Sequence, residues 1–116
     1  MTIKQAIDAA DALRPANPYS AAVKAGWLST LDGVLHLSVI CGEAAGCPKY
    51  ADDTAELLVP APFDELYPTY LAAKIDFCDG EWESYHQTMQ MYNMQEAEFA
   101  RDYIRRNRPA SNAVKL

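Results

Sequence analysis

A chain of 116 residues, half of them apolar and 22% charged, has the size and composition of one globular domain. Its net charge of −6 is uneven: residues 1–100 hold 5 Lys/Arg against 15 Asp/Glu, whereas residues 101–116 hold Arg101, Arg105, Arg106, Arg108 and Lys115 against Asp102. Such an acidic body excludes nucleic-acid binding by phosphate neutralisation, and the longest apolar runs fall far short of the roughly 20 residues of a membrane span.

Met1-Thr2-Ile3-Lys4-Gln5 lacks the basic-then-apolar layout of a signal peptide, so a cytosolic product is expected. Three cysteines, Cys41, Cys47 and Cys78, agree: an odd count argues against a disulfide framework. They could be combined with His36 or His86 into a zinc site, but no Cys-x2-4-Cys pair is present, and free thiols are the simpler reading.

In chain order, Thr2 to Leu13 reads as a first helix, opened by a Thr2/Gln5 capping box. Ile3, Ala6, Ile7, Ala10 and Leu13 form its apolar stripe, and Asp8 and Asp11 face solvent. Arg14-Pro15 stops it, and Pro15 to Pro18 is a stiff connector. Ser20 caps a second helix, Ala21 to Ile40 or Cys41, with Val23, Trp27, Leu31, Val34 or Leu35, and Leu37 or Ser38 at helical spacing. Gly26 and Gly33 inside it point to a closely packed neighbour or a kink, and His36 sits at the edge of the apolar face. Gly42 to Ala55 reads as a long surface loop. Its Asp52 and Asp53, with Glu56, lack the spacing of a calcium loop.

Glu56 to Pro60 is a short extended segment, kept out of helix by Pro60 and Pro62. The third helix starts near Pro62 or Phe63, where Asp64 and Glu65 suit the positive end, and it ends at Asp79-Gly80. Leu66, Tyr70, Ala73 and Phe77 share a face, with Leu71 and Ile75 close to it. The last helix, about Glu81 to Arg106, matches the macrodipole with early acids and late arginines. Trp82, Tyr85, Met89, Tyr92, Glu96, Phe99 and Tyr103 follow a three-four spacing, with Met91, Met94 and Ile104 widening the stripe. A Met and aromatic stripe is ordinarily core, yet this helix reaches about 39 Å, longer than a small bundle needs. The reading is therefore all-α: a bundle of about four helices over 1–108, with a flexible tail over 109–116. The candidate interaction residues are Trp82, Tyr85, Met89, Tyr92, Phe99, Tyr103, Arg105 and Arg106.

No P-loop, Gly-x-Gly-x-x-Gly, His-Glu-x-x-His or nucleophile elbow is present. Glu83 and His86, three apart on one helix, resemble half of a di-iron motif whose other half is missing. No catalytic, cofactor or metal residues are assigned, and an enzyme is not expected.

Taken together, several stretches resemble the small head-to-tail connector (adaptor) proteins of tailed bacteriophages and prophages. They are Ile7-Asp8-Ala9-Ala10-Asp11-Ala12-Leu13-Arg14-Pro15; Trp27-Leu28-Ser29-Thr30-Leu31-Asp32-Gly33; Glu56 through Tyr67; Tyr70-Leu71-Ala72-Ala73-Lys74-Ile75-Asp76; and Gly80-Glu81-Trp82-Glu83-Ser84-Tyr85. The resemblance implies a non-enzymatic structural protein of the virion neck that assembles in the host cytoplasm. It would form a homo-oligomeric ring on the portal protein, receive the next neck or tail-completion protein, and let DNA pass without sequence-specific binding. The Gly42 to Ala55 loop has no counterpart in the pattern, and His86 stands where a small polar residue such as asparagine is expected. Two other readings compete with it: a helical interaction module with one protein partner, and a metal-dependent enzyme built on Glu83 and His86.

Overall fold

The computed structural model describes residues 1–43 and 46–107; the tail expected over 109–116 lies outside them. The chain is all-α: α1 (Ile3–Leu13), α2 (Ala21–Ser38), α3 (Leu66–Asp79) and the long α4 (Trp82–Arg106). No described residue belongs to a strand, and the extended segment before α3 makes a single bridge between Thr2 and Glu56.

The end of the loop leading into that segment completes α1. A helix start leaves four amide groups without intrahelical acceptors. Here Ile3 and Lys4 donate to the carbonyls of Ala55 (3.1 Å) and Asp53 (2.9 Å), and Ala6 donates to Thr2 O. Gln5 N–H donates to Thr2 Oγ1 while Thr2 N–H donates to Gln5 Oε1, closing the expected capping box. Ile3, Ala6, Ile7 and Ala10 are buried as the periodicity predicts, whereas Leu13, at the last turn, is exposed.

Ser20 caps α2 through its hydroxyl on Val23 N–H. The helix ends at Ser38, short of the Ile40 or Cys41 predicted, because the chain folds back over His36. Gly42 N–H donates to His36 O, and the His36 ring nitrogen Nε2 bonds Glu43 O at 3.1 Å. A side chain at position 42 would run into that ring and force it to shift, so glycine permits this close approach. The buried face of α2 is Lys24, Leu28, Leu31, Asp32 and Leu35, rotated from the predicted stripe; Val23 and Val34 lie outside.

A 3-10 turn, Phe63–Glu65, precedes α3, which starts at Leu66 instead of Pro62 or Phe63. Pro68 falls in its first turn, where the missing N–H costs no helical bond. Packed against α4 and α1, and less extensively against α2, α3 is buried around most of its circumference: Leu66, Tyr67, Leu71, Ala72, Ala73, Ile75 and Asp76 are all inside. Phe77, predicted on its inner face, is half exposed. Gly80 ends α3 in the left-handed conformation, φ 76°.

Two buried carboxylates tie these elements together. Asp32, with no exposed surface, accepts hydrogen bonds from Tyr50 Oη, from Tyr67 Oη (2.5 Å) and from Leu58 N–H (2.9 Å). Tyr67 Oη in turn accepts from Val59 N–H at 2.8 Å. Burial pushes the Asp32 carboxyl above its usual range, against the opposing pull of the three donors. Asp76 on α3 forms a two-pronged pair with Arg14, Nε–Oδ1 2.8 Å and Nη2–Oδ2 2.9 Å, and accepts Ser84 Oγ from α4 at 2.8 Å. Burial pushes Asp76 upward too, but its donors, Arg14 foremost, more than reverse this and hold it below the ordinary carboxylate range.

Tyr67→Phe orphans Val59 N–H and removes one donor from Asp32. It should cost about 2 kcal/mol and lower the melting temperature by roughly 10 °C, read by thermal denaturation. The pH dependence has two parts of opposite sign. Asp76, depressed, stabilises the fold above pH 3.8, and this contribution is lost as pH falls through its lower folded pKa; Asp32, raised, favours the fold when protonated, a contribution lost as pH rises through its higher folded pKa. Arg14→Met leaves Asp76 buried without its cation, so its contribution changes sign. Urea midpoints of the variant, measured from pH 3 to pH 7, should rise on acidification relative to the parent protein.

Candidate functional site

Helix α4 was expected to carry the contact surface, and the structure divides it lengthwise. Tyr92 and Phe99, expected among the contact residues, belong to the core of the subunit itself. Tyr92 stacks on Tyr70 at 5.2 Å between ring centroids, and Phe99 lies between Phe63 (6.3 Å) and Tyr103 (6.1 Å). They are buried because α4 must cover α3, and the three-four stripe supplies the face that does so. Met89 and Tyr103 sit half-buried at its margin.

Trp82 and Tyr85 stay accessible. Trp82, 55% exposed, packs its edge on Phe77 at 5.4 Å, and Tyr85 packs on Phe77 at 5.3 Å and on the His86 ring at 5.5 Å. These rings gather at the α3–α4 joint around Gly80, beside a shallow groove of about 220 Å³ lined by Tyr70, Lys74, Phe77, Tyr85 and Met89. Further along α4, Met91, Met94 and Ile104 are exposed on other sides of the helix. At its far end Arg105 and Arg106 are exposed, and both donate to Asp102, at 2.6 and 3.1 Å. The two ends of one helix therefore differ in sign: Asp79, Glu81 and Glu83 surround the aromatic end, and Arg101, Arg105 and Arg106 surround Ile104.

A second groove, of about 250 Å³, is lined by Leu13, Arg14, Thr69, Ala72, Ser84, Gln87, Thr88 and Met91. Its hydroxyls are not activated nucleophiles. Ser84 donates to the Asp76 carboxylate, which is already held by Arg14, and no histidine lines the groove as a base. Among the described residues no three His, Cys, Asp or Glu side chains are placed to hold a metal, so Glu83 and His86 find no companions there. The three cysteines are free. No helix of the described residues is long and apolar enough to cross a membrane.

Periodicity missed the charged residues that organise the interior. Lys24, buried beneath the surface of α2, donates to Asp11 Oδ1 at 2.6 Å, and Asn17 donates to the same oxygen at 3.0 Å. The signal was present in the spacing: Lys24 and Asp32 stand four residues before and after Leu28, on the face Leu28 buries. The division of α4 is open to test. Phe99→Ala should cost about 3–5 kcal/mol through the cavity it leaves, whereas Trp82→Ala should cost under about 1 kcal/mol, both read from urea unfolding. No family model, curated protein or solved structure matches this chain.

Proposed function

We propose that the protein is a structural head-to-tail connector of a tailed-phage virion neck, assembling into a ring beneath the portal through contacts along α4. The sequence resemblance supplies the class. The observation that carries the contact surface is the polarity of α4: an acidic aromatic end and a basic apolar end on one rigid 25-residue helix. Opposite ends that complement each other favour head-to-tail contacts between copies, and a head-to-tail contact closes into a ring when its rotation does. Trp82 with Phe77 at one end and Ile104 at the other supply apolar surface for the junction, flanked by opposite charges. On this reading Trp82, Tyr85, Met89, Tyr103, Arg105 and Arg106 meet neighbours, and Tyr92 and Phe99 support them from within. The acidic remainder of the surface suits a channel along which DNA slides without sticking.

The test is light scattering and negative-stain microscopy of the protein, alone and mixed with the portal protein encoded beside it. Rings alone or on the portal are the expected result, weakening as salt rises because the junction is electrostatic. Arg105→Glu with Arg106→Glu should weaken assembly at least about tenfold, and adding Glu81→Arg with Glu83→Arg should restore it. A protein that neither forms rings nor binds the portal rejects the reading.

A further inference from the structure

The chain contains two Asp-Gly steps, Asp32-Gly33 and Asp79-Gly80, and no Asn-Gly step. Asp-Gly is the aspartyl dipeptide most open to ring closure between side chain and main chain, because glycine has no Cβ to hinder the approach to its amide nitrogen. In that reaction the glycine nitrogen attacks Cγ of the aspartate and a five-membered succinimide forms. One carboxyl oxygen leaves as water, carrying the proton of the nitrogen and the acid proton of the carboxyl. Water then adds to the ring. Where it breaks the bond between the nitrogen and the original main-chain carbonyl carbon, the chain is left running through Cβ and Cγ. The product is an isoaspartate with one extra main-chain atom. The water lost in the first step returns in the second, so the mass does not change.

The fold treats the two steps differently. Asp32 is fully buried, its carboxylate accepts from Tyr50, Tyr67 and Leu58, and the Gly33 amide lies inside the hydrogen-bond ladder of α2. Closure there demands that the interior come apart. Asp79-Gly80 stands at the C-terminal end of α3, with both residues exposed. The Gly80 N–H is held by the carbonyls of Asp76 and Phe77 in the last turn, at 3.2 Å from Phe77 O, and a last turn opens without the rest of the molecule. One further tie holds the side chain: Tyr19 Oη, from the connector before α2, donates to Asp79 Oδ1 at 2.6 Å. That hydrogen bond is the main reason the Tyr19 pKa is pushed up to about 12, so the hydroxyl remains a donor at neutral pH. A carboxyl that turns toward the Gly80 nitrogen has to give this bond up. We infer that Asp79-Gly80 is a site of spontaneous isoaspartate formation, restrained in the folded chain by the Tyr19 hydroxyl, while the identical step at Asp32 is closed. The extra atom falls at the α3–α4 joint, between Phe77 and the Trp82 and Tyr85 rings packed on it. It disturbs the bond from Glu81 N–H to Asp76 O (2.9 Å) that leads the chain into α4. None of this rests on the neck reading.

The test is to age the protein at neutral pH, folded and in guanidinium chloride, and to locate isoaspartate by peptide mapping with isoaspartyl methyltransferase labelling. The folded protein should accumulate it at 79 and stay at background at 32, whereas the denatured chain should accumulate it at both. Tyr19→Phe should raise the rate at 79 about threefold, the worth of one modest hydrogen bond. Position 32 should stay silent in that variant, which separates loss of the restraint from loss of the fold. Asp79→Glu should remove the signal, since glutamate closes the larger ring far more slowly. Isoaspartate at 32 as fast as at 79 in the folded protein, or none at 79, would overturn the proposal. So would a Tyr19→Phe variant whose rate at 79 is unchanged or slower, or one that accelerates both steps equally.

Discussion

The carboxylate of Asp32 is the constraint on which the remaining architecture depends. It projects from α2 into a space where apolar packing alone would place a leucine, and it arrives there without a cation. Three donors replace the lost water: a tyrosine hydroxyl from the long loop, a tyrosine hydroxyl from α3, and a backbone amide from the extended segment. Each comes from an element with little regular hydrogen bonding to α2, so one side chain sets where loop, segment and third helix converge. A buried charge left unsatisfied is expensive, which makes the arrangement all-or-none. Arg14 and Asp76 do the same between α1, α3 and α4, with a cation included.

With α3 enclosed, α1, α2 and α4 form the outside, and they differ in what they offer. The outer part of α1 is polar or charged until its last turn, where Ala12 and Leu13 are exposed. Charge is concentrated at the two ends of α4, with apolar side chains beside it. The outward side of α2 has no charge at all. These are different kinds of surface, one dominated by charge and the other by uncharged side chains.

Much of this was legible in the sequence. The four helices, the capping box at Thr2, the stop at Gly80 and the extended run before α3 follow from local chemistry, which does not depend on neighbours. What was not legible depended on them. The inward face of α2 was misplaced because two of its five buried residues are Lys24 and Asp32, and a search for apolar spacing passes over charges that a distant partner neutralises. Tyr67 was overlooked because α3 has no solvent face over most of its length, and a helix buried all round has no stripe to find. The proposed contact residues on α4 were half legible. Spacing locates an aromatic stripe but cannot say which rings the subunit keeps for itself, and Tyr92 and Phe99 went inward because α3 lies beneath them. Gly26 and Gly33 were legible as an oddity, and the structure shows open space where their side chains would begin.

The carbonyls of Asp53 and Ala55 that receive the first amides of α1 bear on how the molecule opens. A helix start of this kind ordinarily frays by itself, on its own timescale. Here the protecting groups belong to a loop about 50 residues away in sequence, and that loop is pinned to Asp32 by Tyr50. The amides of Ile3 and Lys4 therefore exchange with solvent only when the loop lifts, and the loop lifts only by giving up its hold on α2. In exchange terms the first turn of the chain and the middle of the chain form one foldon, with a shared opening free energy.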